Sequence, residues 1–512
     1  MQVMTSDVTP IVLFWVLLLV TLLAGTVSGT IRVVDDDWAG ADFQTIGAAV
    51  NASSDGDLIL VYAGVYGEHV RVNVLVEIVG NGSALTVVDG GGTGTVFEVD
   101  ADGVRISGLR ITGSGSQWSD AGVAISGDDD LTVDNCTFDG HLNAGVLVTQ
   151  ADGCSVVDST FTECTTHGIQ IRSATSTRMA NLTFEGGAIF ISGSSRDEYV
   201  THTVENCTVD GRPLFFAVGG EAVVVPQDSG AVIVIDCEHV LVRGLTLTGS
   251  NVGVLAAYSD SVIVEDTVIE DQRYGIQTWQ STNTSIDNCT ILNCTIFGID
   301  LSPGSDRTEI ADTTVRDCRY GVRALSADDL RIRRSAIGPC TSYGLFLDSD
   351  SDRPRIEDTT TDGCQIGIFG KWWSGGRLKN CTVRDSTGVG IDLTEVGGLL
   401  VMGCHIANNT GGGLRSTNST ISVEDTVVTA NGGTGVVLWG NDSVIDGGVV
   451  SDNGADGAVL SGRGCAARNT TFEGNDGSGV MMTGDGHEVW RCTVRSNGRG
   501  IVLRSYTTNC SA

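Results

Sequence analysis

Acidic, basic and aromatic residues recur at fixed distances after a repeated glycine, and together these types could bind or cleave a sugar chain. The second and fourth residues after each glycine are Gln277 and Trp279, Asp300 and Ser302, Arg323 and Leu325, Phe346 and Asp348, Phe369 and Lys371, Asp392 and Thr394, Arg415 and Thr417, and Val437 and Trp439. Trp372 and Trp373 lie directly beyond one of these pairs. Aromatic rings pack on the apolar faces of sugars, while amide and charged groups bond to hydroxyls. The ligand-binding candidates are therefore Gln277, Trp279, Asp300, Arg323, Lys371, Trp372, Trp373, Arg415 and Trp439.

Three acids in this set, Asp300, Asp348 and Asp392, are the candidates for catalysis. Two carboxyl groups roughly 6.5 to 9.5 Å apart would suit an inverting glycoside hydrolase. Asp300 and Asp348 are two repeats apart, which is roughly 10 Å plus a lateral offset and slightly too far. In the alternative interpretation, Asp300 beside Arg323 and Asp392 beside Arg415 form ion pairs between neighbouring strands.

Metal chemistry has little support in the sequence. The seven His residues show no paired spacing, the six Met residues form no cluster, and no C-x-x-C motif occurs. We therefore predict no copper or zinc site and no cofactor. Calcium at the acidic turns 128–130 and 348–352 is an alternative, although solvated acidic turns are more common.

The regular spacing of the repeated glycine predicts the fold. This glycine stands at Gly275, Gly298, Gly321, Gly344, Gly367, Gly390 and Gly413, each 23 residues apart, and then at Gly435, Gly457, Gly479 and Gly500. Each repeat contains short Val, Ile, Leu and Thr runs interrupted by Gly, Asn, Asp and Ser, which is typical of strands and turns. A period of this length without helical patterning indicates an all-β solenoid, the parallel β-helix, with rungs about 4.8 Å apart.

The N-terminal region predicts a cap for this solenoid. Residues 42–50 place apolar side chains on one helical face, with Asp42 as the N-cap, and strands should follow at 58–62 and 65–76. Such a helix would cover the open edge of the first rung. We divide the chain into residues 1–29 as a signal peptide or membrane anchor, 30–100 as the cap and first rungs, 101–505 as the β-helix, and 506–512 as a tail.

Two stretches resemble a known family. Residues 41–50, 56–61, 64–68 and 78–80 look like the opening of pectin-methylesterase-like and NosD-like proteins. Gly211-Arg212-Pro213-Leu214, followed by two β runs and Val240-Leu241-Val242-Arg243-Gly244-Leu245, resembles the NosD-like family (periplasmic copper-binding protein NosD / CASH domain) of the pectin-lyase-like superfamily. The sequence motifs of pectin methylesterases are missing from this chain, which favours the NosD-like family. The resemblance implies a right-handed β-helix, a cell-surface or periplasmic location, and carbohydrate binding or sugar hydrolysis. Copper delivery is not carried over.

The fifteen Cys residues fall into register. Cys136, Cys207, Cys289, Cys381, Cys404 and Cys492 share one repeat position, and Cys164, Cys294, Cys318, Cys340 and Cys364 share another. Other repeats have small residues at these positions, so we predict buried columns of thiols. Stacked side chains that point the same way have poor geometry for disulfides.

Composition and the first thirty residues predict the location. The formal net charge is −33, with 63 acidic against 30 basic residues, which argues against nucleic acid as a partner. Residues 11–27 are an almost continuous apolar run followed by small residues, which favours a cleaved export signal over an uncleaved membrane anchor. In either case the body of the protein is expected outside the cytoplasm.

We predict an exported surface or secreted β-helix protein that binds polysaccharide or a cell-surface glycan along an outward sheet face. The alternatives are a structural or adhesion rod without a small ligand, and a polysaccharide hydrolase or lyase. Only nine residues follow the last repeat, so self-association through the C-terminal end is a further expectation.

Overall fold

A computed structural model of the chain describes residues 29–249, 251–504 and 508–512. The predicted export signal or anchor at 11–27 lies outside these residues. Within the described ranges, no helix is long and apolar enough to cross a membrane. The chain divides into two compact units, one of Met1–Thr165 and Arg172–Arg178, the other of Thr166–Ile171 and Met179–Ala512. The strands His167–Arg172 and Arg178–Ala180 contain residues of both.

In the first unit, parallel strands stack in three sets. One set is Ile31–Val34, Asp57–Val61, Val76–Gly80, Arg105–Ser107, Thr132–Asp134 and Ser155–Val157. The second is Val70–Val72, Phe97–Val99, Ala121–Ser126 and Ala144–Thr149, and the third is Gly64–Gly67, Thr86–Asp89, Arg110–Thr112, Thr137–Asp139 and Thr160–Thr162. The single strand predicted at 65–76 is three strands, because the chain turns at both ends of Val70–Val72 to form a rung.

The predicted N-terminal helix is present as Ile46–Asn51. Thr45 is its N-cap, since its side chain accepts a hydrogen bond from Ala48 N at 3.2 Å. Asp42 was the wrong cap, because its carboxylate accepts from Val33 N at 2.9 Å instead. The carboxylate of Glu68 takes the remaining first-turn donors, Ile46 N at 2.7 Å and Gly47 N at 2.9 Å, as expected for an anion at a helix N-terminus.

The second unit contains three ladders of parallel strands. The first ladder contains two strands followed by the strands at the repeat glycines: Arg212–Glu221, Ala231–Arg243, Val252–Ala257, Tyr274–Trp279, Phe297–Leu301, Cys318–Leu325, Cys340–Asp348, Ile366–Ser374, Val389–Met402, Gly412–Thr417, Val436–Asn441, Ala458–Arg463, Ser478–Asp485 and Arg499–Leu503. Ala231–Arg243 and Val389–Met402 are long enough to continue into the second ladder.

The other two ladders follow along each rung. The second ladder is Asp260–Glu265, Ser285–Asp287, Glu309–Ala311, Arg331–Arg333, Arg355–Glu357, Arg377–Lys379, Thr420–Glu424, Val444–Asp446, Ala466–Arg468 and Glu488–Trp490. The third is Thr246–Leu247, Val268–Glu270, Thr290–Leu292, Thr314–Arg316, Ala336–Ile337, Thr360–Asp362, Thr382–Arg384, His405–Ala407, Val427–Thr429, Val449–Ser451, Thr471–Glu473 and Thr493–Arg495. The unit begins with Thr183–Glu185, Ile189–Ser192, Thr203–Glu205, Thr208–Val209 and the helix Asp197–Val200.

Two local rules shape every rung. A residue in the left-handed region, such as Asp266 at φ 50° or Asn288 at φ 49°, turns the chain between the second and third ladders. Asp and Asn tolerate this conformation best among residues with a side chain. The repeat glycine meets the third ladder, where a Cβ at Gly298 would lie 2.3 Å from Val315 Cγ1. Only glycine fits there, which explains the period.

In the core of the second unit, side chains at the same repeat position of successive rungs stack into columns. All members of the two predicted cysteine columns are buried except Cys492, which is partly exposed, and thirteen of the fifteen thiols are buried in all. Further along, asparagines continue the Cys294 column: the amide of Asn431 donates to Asn453 Oδ1 at 2.9 Å, and Asn453 donates to Asn475 Oδ1 at 2.8 Å. These bonds satisfy polar groups inside the solenoid and join consecutive rungs.

Candidate functional site

An aromatic strip starts at Phe190, on the strand Ile189–Ser192, and runs along the outer side of the first ladder. We define it as Phe190, Tyr274, Phe297, Tyr320, Tyr343, Phe346 and Phe369, and the centroids of neighbouring rings are 4.9 to 5.7 Å apart. Phe190 and Tyr274 are nearly parallel at 15°, as are Tyr320 and Tyr343 at 20°. Three of the neighbouring ring pairs are stacked and the others are tilted or edge-to-face. The strip therefore joins the rungs and offers a ligand few open ring faces.

The aromatic strip was missed as a cluster by sequence reasoning, which concentrated on the tryptophans. Its signal is present in the sequence, because an aromatic residue precedes four successive repeat glycines at Tyr274, Phe297, Tyr320 and Tyr343. Register alone places such residues one above another. Their mutual ring contacts depend on side-chain geometry that the repeat does not specify.

Asp300, a candidate for both catalysis and binding, is fully buried in the outer layer. Arg323 donates to both of its oxygens, at 2.6 Å from Nε and 2.8 Å from Nη2, and Gln277 Nε2 donates at 3.1 Å. The Arg323 guanidinium carbon also lies 3.9 Å from the ring centroid of Phe297. The predicted ion pair is confirmed. The expectation of a solvent-accessible Asp300 was wrong, because Arg323 folds over it.

The other predicted ion pair is confirmed as well. Arg415 Nε donates to Asp392 Oδ1 at 2.9 Å, and this hydrogen bond raises the pKa of Arg415. Asp392 is buried, with 6% of its surface exposed, so it too lacks the open position that a catalytic acid requires. Its carboxylate serves to hold two adjacent rungs together.

The three candidate acids are not brought together. Asp300 is in register with Arg323, whereas Asp348 is in register with Leu325, two residues further along the strand. Two rungs and two residues separate the Asp300 and Asp348 backbones by about 12 Å. Asp392 lies four rungs from Asp300, or about 19 Å. These separations do not match the paired carboxylates of an inverting hydrolase.

Two of the candidate tryptophans belong to the protein's own packing. Trp373 is 4% exposed and forms part of the hydrophobic core, so its prediction as a ligand-binding residue was wrong. The cause is Trp372, whose φ of 56° interrupts the alternation of the strand. Trp279 is half-buried, and its ring is stacked at 6.5 Å against Tyr199 of the short helix Asp197–Val200.

Lys371 and Trp372 form a small exposed cluster with an acid from the next rung. The Lys371 ammonium lies 3.4 Å from the Trp372 ring centroid, a cation–π contact. Trp372 Nε1 donates to Glu395 Oε2 at 3.1 Å. One face of this indole is therefore occupied by the lysine, and its polar edge is already bonded.

Trp439 is the tryptophan that remains open. It is 49% exposed and lies in a shallow pocket lined by Asn418, Ser419, Thr420, Trp439, Gly440, Asn441, Ser461 and Gly462. No ring or cation of the described residues contacts the indole. The lining carries amides and hydroxyls but no charged side chain, so the pocket combines a flat apolar surface with neutral hydrogen-bonding groups. This arrangement suits one or two sugar units.

The acidic turns are used by the backbone. Asp328 Oδ1 accepts from Asp352 N at 2.9 Å, and Asp352 Oδ1 accepts from Ser374 N at 2.6 Å. Among the described residues, one cluster of three His, Cys, Asp or Glu side chains has ligand atoms that converge: Asp35, Asp36 and Asp37. These are surface acids, and Asp35 already accepts from the Trp38 backbone at 2.9 Å.

A family model for the right-handed beta helix region matches residues 76–225, 224–326 and 297–447. The chain belongs to the right-handed β-helix family. This confirms the predicted fold class, including the handedness. No curated protein matches the chain.

Solved structures of other β-helix proteins are similar in fold. A double mutant of the periplasmic alginate epimerase AlgG is 12% identical, with a TM-score of 0.29, over 88% of this chain and 77% of that one. The catalytic domain of GH87 alpha-1,3-glucanase in complex with tetrasaccharides is 13% identical, with a TM-score of 0.30, over 94% and 69%. A pectin methylesterase in complex with a hexasaccharide is 12% identical, with a TM-score of 0.24, over 52% and 80%.

Proposed function

We propose that this protein binds a polysaccharide on the outer face of the first ladder, with Trp439 as the main stacking surface. The observation that carries the proposal is the open indole in an uncharged pocket. Sugars present flat C–H faces and a rim of hydroxyls, and the pocket offers the complementary surfaces. Asn418 and Ser461 flank the indole, and neither side chain is hydrogen-bonded to another described residue.

Binding without cleavage fits the chemistry of this face best. Asp300 and Asp392 are each held by an arginine, and neither is paired with Asp348 at the distance that glycoside hydrolysis uses. A base or nucleophile must be free to reach its substrate. The hydrolase or lyase alternative is therefore less favoured than a binding protein.

We further propose that the protein acts outside the cytoplasm, as a secreted or membrane-anchored surface protein of the NosD-like type. The apolar segment at 11–27 supports export, and the Gly211-Arg212-Pro213-Leu214 element supports the NosD-like assignment. The large excess of acidic residues suits a solvated extracellular surface.

A glycan array tests the proposed function. The purified protein is applied with and without calcium, and the proposal expects binding to at least one polysaccharide, unchanged by calcium because the acidic turns are engaged with the backbone. A blank array at high protein concentration would contradict it and would favour the structural rod. Release of reducing or unsaturated sugars from the bound polymer would instead favour an enzyme.

A further inference from the structure

One column of the first ladder carries a hydroxyl group or Trp439 on five consecutive rungs. Strand pairing places Thr394 beside Thr417, Thr417 beside Trp439, Trp439 beside Ser461, and Ser461 beside Thr483. We call these five residues the hydroxyl column. At the strand spacing of a sheet, it is about 19 Å long.

The hydroxyls of this column are available to a ligand. The side chains of Thr394, Thr417, Ser461 and Thr483 are half-buried, and none hydrogen-bonds to another described residue. Elsewhere in the unit, hydroxyls at repeated positions do have partners: Thr267 Oγ1 donates to the Glu265 carbonyl at 2.8 Å. The fold does not use these four hydroxyls, which lie in a straight line. They are therefore available to a ligand as both donors and acceptors.

The column is also free of net charge. On the rung before Thr394 the same position is Lys371, and Glu395 directly follows Thr394 in the chain, so one cation and one anion lie at this end of the column. On one side the nearest charges are Arg415 and Asp392, which are bonded to each other. On the other side, Arg463 is 3.9 Å from Asp485. In a chain with a formal net charge of −33, a polyanion would meet repulsion along the column, and the nearby ammonium of Lys371 lies one rung before Thr394 and contacts the Trp372 ring.

We infer that the ligand is a neutral, linear glycan that lies along the hydroxyl column, parallel to the solenoid axis, with one sugar stacked on Trp439. This inference rests on the proposed function and names its ligand class and orientation. The rungs repeat in a straight line, so an extended chain keeps its hydroxyls near successive side chains. A strongly bent or branched chain would leave the column after the sugar on the indole.

The first test compares ligand classes with the whole purified protein. Neutral cello-, laminari- and manno-oligosaccharides of two to six units are titrated by calorimetry, together with polygalacturonate and alginate as acidic polymers. We expect binding to a neutral series, with affinity that rises about tenfold from the dimer to the pentamer and changes less than twofold between 50 and 500 mM NaCl, since no counterions are released.

The second test uses conservative variants of the column. Thr417→Val and Thr483→Val keep shape and strand propensity but remove the hydroxyl, and each should weaken hexamer binding about fivefold and dimer binding less than twofold. Thr290→Val on the third ladder is the matched control and should change neither. Preference for an acidic polymer, or affinity that stops rising at the dimer, overturns the inference while the proposed function stands. No binding to any polymer overturns both.

Discussion

Arg323 binds both carboxylate oxygens of Asp300, with Nε to Oδ1 at 2.6 Å and Nη2 to Oδ2 at 2.8 Å. The two residues occupy the same position on adjacent rungs. Asp300 is inaccessible to solvent, and Arg323 is 23% exposed. The pair therefore belongs to the framework of the solenoid, and the acid that looked most like a catalytic residue has a structural role.

Removing one partner of this pair should destabilise the protein. Arg323→Ala leaves a buried, uncompensated carboxylate, which costs about 3 kcal/mol. Arg331→Ala is the control, because its exposed guanidinium forms no salt bridge with a described residue and should change stability by less than about 0.5 kcal/mol. Urea unfolding of both variants, of Asp300→Asn, and of Arg323→Ala combined with Asp300→Asn measures the coupling between the two residues. Equal stability of the two single variants would contradict the account.

The asparagine column should be sensitive to a single deletion. Asn453 donates to Asn475 Oδ1 at 2.8 Å and accepts from the amide of Asn431 at 2.9 Å. Asn453→Ala removes the acceptor of the buried Asn431 backbone N–H, which lies 3.1 Å from Asn453 Oδ1, whereas Asn475 Oδ1 keeps its bond from the Asn453 backbone N. We therefore expect a loss of about 2 kcal/mol in the free energy of unfolding. Asn73→Ala, at an exposed position, is the control. Thermal unfolding monitored by circular dichroism compares them, and a loss below 1 kcal/mol for Asn453→Ala would be inconsistent with this role.

Stability should fall in mild acid because of His141. Burial lowers the pKa of His141 to about 4, while its Nε2 is bonded to the Ile111 carbonyl at 3.0 Å. The unfolded chain, with a His pKa of about 6.5, binds the proton first. The contribution is thus fully present above pH 6.5 and is lost as pH falls toward 4, by up to roughly 3 kcal/mol. Denaturation midpoints at pH 7 and 4.5 test this, and His141→Gln should reduce the difference.

Most thiols should be chemically silent in the folded protein. Burial raises the pKa of Cys136 and Cys164 to about 12 and that of Cys289 to about 11. Thiolate is therefore scarce at neutral pH, and solvent cannot reach the sulfur. Iodoacetamide at pH 8 should label only the partly exposed Cys492 and Cys510 in the native protein and all fifteen in urea. Rapid native labelling of Cys136 or Cys164, seen by peptide mass spectrometry, would contradict the buried columns.

Periodicity made the fold readable from the sequence. The glycine at every 23rd residue, the strand-like runs and the cysteine columns are consequences of stacking identical rungs, so the class, the strand register and the buried columns could be predicted. The N-cap could not, because Asp42 and Thr45 are both good caps and the choice depends on the tertiary bond from Asp42 to Val33.

The site was predicted less completely. Register correctly paired Asp300 with Arg323, and Trp439 was correctly placed on the outer face. Side chains alternate along a strand, so Trp373 would face outward like Lys371 two residues before it. The left-handed Trp372 reverses this and turns Trp373 inward. Exposure also depends on neighbours: Trp279 faces outward but is covered by Tyr199, which comes from a distant segment. A repeat pattern in the sequence does not predict such contacts between distant segments.

The most direct test of the central claim is calorimetric titration of the array's best glycan into the wild type, Trp439→Ala and Trp490→Ala. Trp490 is 52% exposed on the second ladder, away from the proposed site, and matches Trp439 in type and exposure. Loss of one sugar-stacking platform should weaken binding at least tenfold in Trp439→Ala and leave Trp490→Ala within twofold of the wild type. Equal affinities in all three proteins would contradict the assignment of Trp439 as the binding surface.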